Sequence, residues 1–370
     1  MAVLNEEQTM LRDMARDWAR KESPVKAYRK VRDTGAAIGF DPQAFAKMAE
    51  MGWTGVIIPE AYGGSDFGYL SLGLVLEECA RTLTASPLNA SSLAATSALL
   101  LGGSDEQKSA WLPGIASGET IAALAVDEGP RHAPDLIKAR AEASGDGWTL
   151  SAEKCFVAEG DAANLLVVAA QYEGGVGLFL VPAEASGVTV STRKLIDFRS
   201  HAAITLDQVS LPAHARLEAG GDDLLDQVLD RARAGVAAEM LGLAVQAFED
   251  TLAYLKTRSQ FGEILSRFQA LQHRMANLFT EIELMRSVVE GALEAIDAER
   301  DDVPVRVALA KATACQTLHL VSRELIQLHG GIGMTDEHDA GFYLKRARIL
   351  EAQYGNGAFH RERFARLNDY

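Results

Sequence analysis

The chain has 370 residues, of which 48% are hydrophobic and 24% are charged, so it can fill more than one sizeable core. Its formal net charge of -15 would repel a phosphate backbone, which argues against nucleic-acid binding. No run of about 18 apolar residues is present, and the N-terminal segment is charged and amphipathic with no apolar signal core. We therefore expect a cytoplasmic protein without a membrane segment, in which any anionic substrate needs a locally basic site.

The chain contains three cysteines, Cys79, Cys155 and Cys315. They are far apart, odd in number and lack the spacing of metal ligands. We expect reduced core residues, with neither a disulfide framework nor a metal site.

Residues 1–118 carry apolar positions at helical spacing, with breaks at Pro59, Gly63-Gly64 and Pro87. This pattern predicts an all-α N-terminal domain.

Residues 119–222 contain short apolar or β-branched runs, which predict a small antiparallel β domain. Two glycine-containing segments, Ser144–Gly147 and Glu173–Gly175, have the composition of hairpin turns. The predicted strands are Ile121–Val126, Trp148–Leu150, Leu165–Ala170, Val176–Val181 and Val188–Val190.

Residues 223–370 return to helical spacing and predict a four-helix bundle with short connections. In the first helix the apolar face recurs every three or four residues, at Val236, Met240, Leu243, Ala247 and Thr251. The other helices are predicted at about 267–298, 303–329 and 340–366.

Two motifs in this last region have the chemistry of a nucleotide site. Arg258–Gly262 reads RSQFG, and Gln327–Arg346 contains a pair of glycines, Gly330 and Gly331. An arginine donates two parallel hydrogen bonds to phosphate oxygens, and paired glycines let a backbone approach a nucleotide closely. Each motif alone is also compatible with an ordinary helix end, where a glycine cap or a solvated arginine is common.

Further segments appear in an order that makes the chain similar to the acyl-CoA dehydrogenase family. Met51–Gly64 reads MGWTGVIIPEAYGG, Gly103–Ala125 leads into the β domain, and Gly262–Asn277 continues the RSQFG motif. The resemblance covers nearly the whole chain. It implies an α+β fold with α, β and α regions in order, a tetramer, FAD as cofactor, an acyl-CoA substrate and an electron-transfer flavoprotein-like acceptor.

The resemblance also identifies where the catalytic base should be. Members of the family remove the α proton of the acyl-CoA with a glutamate while the flavin accepts hydride from the β carbon. The two positions that carry this glutamate in different branches correspond to Tyr354 and Ala232, and tyrosine is a poor base because its pKa is about 10. Glu239 is a candidate replacement, although it lies about 10 Å along a helix from Ala232. Arg233 is the candidate for contacting the substrate.

On the β domain the resemblance places Val126 and Phe156 against the flavin ring. The family's ring-contacting threonine corresponds to Asp127, and the hydroxyl near the flavin N5 corresponds to Ala158. Asp127 would put a carboxylate where a reduced flavin gathers negative charge. These differences indicate that the chain's own flavin site is altered.

The residues that reach a neighbouring subunit's FAD in family tetramers are retained. They are Arg258, Phe261, Gln269, Gln327, Gly330 and Gly331. The pattern favours a base-lacking subunit that completes the flavin site of a paralogous partner, similar to bacterial heterotetrameric acyl-CoA dehydrogenases of steroid side-chain degradation. Two alternatives remain open: a homotetrameric enzyme that uses Glu239 as its base, and a non-redox acyl-CoA-binding protein.

Overall fold

The computed structural model describes residues 3–35, 38–219 and 223–370. Across these ranges the fold is α+β, with an N-terminal helical region, a middle β-sheet and a C-terminal helical region, as predicted. The N-terminal helices are α1 (Glu6–Glu22), α2 (Val25–Thr34), α3 (Pro42–Glu50), α4 (Gly68–Arg81), a π-helix (Leu88–Ala95), α5 (Thr96–Gly102) and α6 (Asp105–Ala116). Capping boxes set the starts of α1 and α6, where Asn5 and Ser104 each pair with the glutamine three residues later.

The described strands of the middle region form a seven-stranded sheet in the order β1-β4-β2-β3-β7-β6, with β5 paired to β4. They are β1 (Ala122–Ala125), β2 (Arg140–Ser144), β3 (Gly147–Ala158), β4 (Leu165–Tyr172), β5 (Gly175–Pro182), β6 (Val188–Lys194) and β7 (Ser200–Pro212). Most pairings are antiparallel, as expected, but the sheet is mixed, because β4 runs parallel to both β1 and β2. The β2–β3 hairpin lies between β1 and β4 along the chain, so β4 can run in the same direction as β1.

Two strands escaped the sequence pattern. In β2, exposed charged residues alternate with alanines, which have low strand propensity, and in β7 polar residues interrupt the apolar ones. Both are held by long antiparallel pairing to β3, the central strand of the sheet. Cross-strand pairing therefore decides their conformation.

The C-terminal helices are α7 (Leu224–Thr257), α8 (Gln269–Asp297), α9 (Val303–His329), α10 (Ala340–Ala352) and α11 (Gly357–Leu367). The single helix predicted over 340–366 is two helices. The chain breaks at Tyr354 and Gly355, whose φ angles are 54° and 104°, and Asn356 then caps α11 by accepting a hydrogen bond from the Phe359 amide. Between α7 and α8, the strands β8 (Ser259–Gln260) and β9 (Glu263–Ile264) form a small hairpin.

Contacts divide the chain into two compact units. The helical unit comprises Met1–Arg29, Gly73–Thr84 and Val236–Tyr370, and the sheet unit comprises Lys30–Leu72 and Ala85–Gly235. The predicted limit at residue 118 lies between α6 and β1, whereas the predicted limit at residue 222 lies outside the described residues.

Each unit has its own packing. In the sheet unit, Leu165–Ala170 of β4 are completely buried. In the helical unit, α7 presses closely on α4, because a Cβ at Gly242 would lie 2.0 Å from the Glu77 carbonyl oxygen. Across the described ranges, no helix combines the length and apolar character needed to cross a membrane. No cluster of three or more His, Cys, Asp or Glu side chains suited to a metal ion occurs in those ranges either.

Candidate functional site

A buried ion pair fixes the segment that follows β1 in the sheet unit. Lys154 is 2% exposed, and its ammonium donates to the Glu128 carboxylate at 2.6 Å and to the Val126 carbonyl at 3.1 Å. Burial acts to raise the pKa of Glu128, but Lys154 and the amides of Ala139 and Lys138 outweigh it and lower that pKa. The backbone of Val126, predicted to face the flavin, is therefore held by an internal bond, and its side chain is buried.

A chain of four polar side chains lies beside this segment. The Asp127 Oδ1 atom is 2.8 Å from His132 Nδ1, His132 Nε2 is 3.2 Å from an Arg233 nitrogen, and Arg233 donates to Asp230 at 3.0 Å. A guanidinium only donates hydrogen bonds, so His132 Nε2 must accept. The proton of a neutral His132 consequently sits on Nδ1 and is donated to Asp127.

This Asp127–His132–Arg233–Asp230 network is almost closed to solvent. The side chain of Arg233 is 0% exposed, those of His132 and Asp230 are each 3% exposed, and that of Asp127 is 17% exposed. With His132 neutral, one guanidinium faces two carboxylates, so the network carries a net negative charge. Arg233, the predicted substrate contact, has an internal partner and no open surface.

The other predicted flavin-facing residues of this unit lie at the end of β3. The register of β3 shifts between Lys154 and Val157, and Phe156 takes a left-handed backbone conformation with a φ angle of 53°. Its side chain remains 49% exposed. Ala158 is buried and offers only a methyl group.

These residues do not fit the ring of a flavin. Reduction brings negative charge onto the ring, and the Asp127 carboxylate within a net negative network would repel it. Ala158 has no side-chain donor to bond the ring nitrogen. Only the exposed ring of Phe156 retains the character that flavin stacking needs.

The other predicted residues all lie in the helical unit, and we call them together the reach surface. Its members are Arg258, Phe261, Gln269, Gln327, Gly330 and Gly331, and every one is exposed. Phe261 and Gly262 form the two-residue turn of the β8–β9 hairpin, with φ angles of 56° and 82°, which leaves the Phe261 side chain 92% exposed.

The reach surface fits a nucleotide pyrophosphate. Arg258 makes no side-chain hydrogen bond or ion pair to another residue of the described ranges, so its fork of donors is available. Within the part of the chain that the structure describes, no neighbouring atom lies within 4 Å of a Cβ built on Gly330 or Gly331, which leaves room for close backbone approach.

The two family positions for the base carry no carboxylate. Ala232 lies in the sheet unit and is fully buried. Tyr354 lies in the helical unit, is 7% exposed, and accepts a hydrogen bond at its carbonyl from His360 Nε2 at 3.1 Å. Glu239, the candidate replacement, is 6% exposed and pairs with Arg346 at 2.7 Å.

Comparison with known proteins assigns the family. Residues 5–119 match the family description "Acyl-CoA dehydrogenase, N-terminal domain", and residues 219–367 match "Acyl-CoA dehydrogenase, C-terminal domain". The probable acyl-CoA dehydrogenase YngJ of Bacillus subtilis is 32% identical, with 98% of each chain covered. The chain belongs to the acyl-CoA dehydrogenase family.

Two solved structures extend this family assignment. A chain of a variant of the Tcur3481-Tcur3483 steroid ACAD has a TM-score of 0.90 and 31% identity, with 98% of each chain covered. A chain of the ChsE4-ChsE5 complex from Mycobacterium tuberculosis has a TM-score of 0.92 and 25% identity, covering 100% of this chain and 99% of that one. The family is typically FAD-binding and oxidises acyl-CoA thioesters, so the chain is an acyl-CoA dehydrogenase-type flavoprotein fold.

Replacing the guanidinium of Arg233 tests whether it is an internal or a substrate-binding group. Because Arg233→Met leaves the buried Asp230 without its cation, we expect a loss of about 3–5 kcal/mol in the free energy of unfolding. Arg231→Met, which removes a partly exposed arginine of the same helix, should cost only about 1 kcal/mol. Denaturant titration measures both. Unchanged stability of Arg233→Met together with weakened acyl-CoA binding would show that Arg233 serves the substrate.

Proposed function

We propose that this chain is the base-lacking subunit of a heteromeric acyl-CoA dehydrogenase and completes the FAD site of a paralogous partner. One contrast carries the proposal. The Asp127–His132–Arg233–Asp230 network puts buried charge on the side of the sheet unit where the resemblance places the flavin ring. The reach surface of the helical unit is exposed and retains the arginine and glycines that a pyrophosphate needs.

In this arrangement the chain binds and orients, and the partner supplies the base. FAD, when bound, accepts a hydride from the β carbon of the acyl-CoA. Arg258 would donate two parallel hydrogen bonds to the pyrophosphate, and Gly330 and Gly331 would let the backbone approach the nucleotide. Gln269 and Gln327 supply amide donors and acceptors at the same surface.

The solved relatives support a paired assembly and a class of substrate. They are the Tcur3481-Tcur3483 steroid ACAD and the ChsE4-ChsE5 complex. We extend this to a heterotetramer that acts on a steroid or related acyl-CoA in lipid degradation. A cytoplasmic location and an electron-transfer flavoprotein-like acceptor belong to the same proposal.

The two alternatives differ in what they require of the chain. A self-sufficient homotetramer needs Glu239 as its base, but that carboxylate is already paired with Arg346. A non-redox acyl-CoA-binding protein needs no flavin in any assembly. This alternative does not explain why the residues of the reach surface are retained and exposed.

Flavin content separates these proposals. Purified alone, the chain should be colourless or substoichiometric in FAD, because the Asp127 network opposes the ring. The native assembly, purified through a tag on this chain, should hold about one FAD for every two subunits, which visible absorbance and protein quantification determine. One tightly bound FAD per chain in the isolated protein would rule out the heteromer, and an assembly without flavin would favour the binding protein.

Arg258→Ala tests the reach surface. Because it removes a charge-assisted bidentate contact, the assembly should lose about 1.5–3 kcal/mol of FAD-binding free energy without unfolding. Arg300→Ala is the matched control, since Arg300 is exposed and pairs locally with Asp302. Equal FAD affinities in the two variants, with normal assembly, would show that Arg258 does not bind FAD and is only structural.

Glu239→Gln tests whether the chain carries its own base. We expect little change in the turnover of the assembly, whereas removing the partner's glutamate should abolish turnover. A general base contributes about 10² or more to the rate, so stopped-flow measurement of flavin reduction distinguishes the cases. An isolated loss of that size in Glu239→Gln, with folding and acyl-CoA affinity intact, would restore the self-sufficient enzyme.

A further inference from the structure

The segment that follows the glycine turn of the reach surface is clamped by an arginine from the N-terminal helices. Arg29 donates to the Asp336 carbonyl at 2.6 Å, to the Glu337 carbonyl at 3.1 Å, and to the Asp339 carboxylate at 2.8 and 2.6 Å. Asp339 directly precedes α10. One guanidinium therefore fixes the whole connection from Asp336 to Asp339, and we call this the Arg29 clamp.

The clamp is seated on α10 by aromatic contacts. The Arg29 guanidinium carbon lies 4.4 Å from the centre of the Phe342 ring, and Tyr28 meets the same ring edge-on at 5.4 Å. The Arg29 side chain is 22% exposed, so solvent competes weakly for its hydrogen bonds. An ammonium could not reproduce this combination of a planar fork and a stacked face.

A stack of rings connects the clamped segment to both motifs of the reach surface. His338, inside the segment, lies 4.5 Å from His329, and His329 stacks on Tyr254 at 4.4 Å. His329 immediately precedes Gly330, and its carbonyl accepts a hydrogen bond from the Tyr254 hydroxyl at 3.3 Å. The Tyr254 carbonyl in turn accepts the Arg258 amide at 2.9 Å, at the end of α7.

Burial favours the neutral form of His329 within this stack. Its Nδ1 atom donates to the Leu325 carbonyl at 2.8 Å, and burial, with His338 adding to it, lowers the pKa of His329. A neutral ring packs on Tyr254 without the desolvation cost of a buried charge.

We propose that Arg29 is a positioning residue for the reach surface: through the Asp336–Asp339 segment and the ring stack it holds Gly330, Gly331 and Arg258 in the arrangement that binds FAD of the partner. This inference rests on the proposed function. Loss of the clamp frees three acceptor groups of the segment to solvent and removes the support of His338 against His329, so the glycine turn samples more conformations before the nucleotide binds.

The test compares Arg29→Ala and Arg29→Lys with Arg306→Ala. Arg306 pairs with Asp302 at the start of α9, about 35 Å along that helix from His329, so it matches the chemistry without reaching the turn. The first measurement is hydrogen–deuterium exchange of residues 330–339 in the isolated chain. The second is the rate at which the native assembly, purified through a tag on this chain, releases FAD, followed by the fluorescence of the freed flavin.

We expect Arg29→Ala to speed exchange in residues 330–339 and to speed FAD release by about tenfold, while the assembly stays intact and folded. Arg29→Lys should fall between, because its single ammonium cannot span three acceptors. Arg306→Ala should match wild type in both measurements.

Other outcomes overturn the inference. Faster exchange with unchanged FAD release shows that the clamp supports the segment only for folding, and unchanged exchange shows that it holds nothing. If Arg258→Ala weakens FAD retention and Arg29→Ala does not, the positioning role fails while the proposed function stands. If neither variant affects FAD retention, or the assembly holds no flavin, the proposed function fails as well.

Discussion

The hydrogen bonds and charge of the network in the sheet unit depend on the buried guanidinium of Arg233. A charge with no exposed surface must be matched within the protein, and Asp230 does this at 3.0 Å. The remaining donors then require an acceptor, which fixes the tautomer of His132 and directs its proton to Asp127. A residue that could have met a flavin ring is thereby committed to an internal network of net negative charge.

The helical unit shows the opposite arrangement of contacts. Phe261 is 92% exposed, Gly330 and Gly331 have no covering atoms, and Arg258 keeps its donors available. Exposed aromatic and unpaired cationic groups of this kind are typical of surfaces that a ligand or partner covers. We infer that the Arg29 clamp orders this surface before the nucleotide binds, which lowers the entropic cost of binding. A closed flavin side and a preorganised reach surface are what the proposed role in a partner's flavin site requires.

The sequence predicted the order of helices and strands because long apolar runs and helical spacing depend on neighbouring residues. It missed β2 and β7, whose alternation of charged or polar residues with small ones only becomes strand-like when paired to β3. It also missed the break at Tyr354, where local backbone geometry and the Asn356 cap override a continuous helical pattern. Such features depend on tertiary partners.

The candidate residues of the reach surface were predicted from the sequence because two short motifs carry all of them except Gln269, and their role in binding FAD stays a prediction. The Asp127–His132 contact was within reach of sequence reasoning, since the two residues are five apart and one carboxylate stands where a hydroxyl was expected. The Arg233–His132 and Arg29–Asp339 contacts were not, because these partners lie about a hundred and about three hundred residues apart along the chain. Only the fold brings these groups together, and no local sequence pattern predicts the contacts.

The most direct measurement is a structure of the native assembly, purified through this chain, at a resolution that shows the flavin ring. We expect FAD whose ring lies against the partner's β-sheet and whose pyrophosphate contacts Arg258, Gly330 and Gly331 of this chain, with the Asp127–His132–Arg233–Asp230 network intact. A flavin ring stacked on Phe156 of this chain beside Asp127 would contradict it.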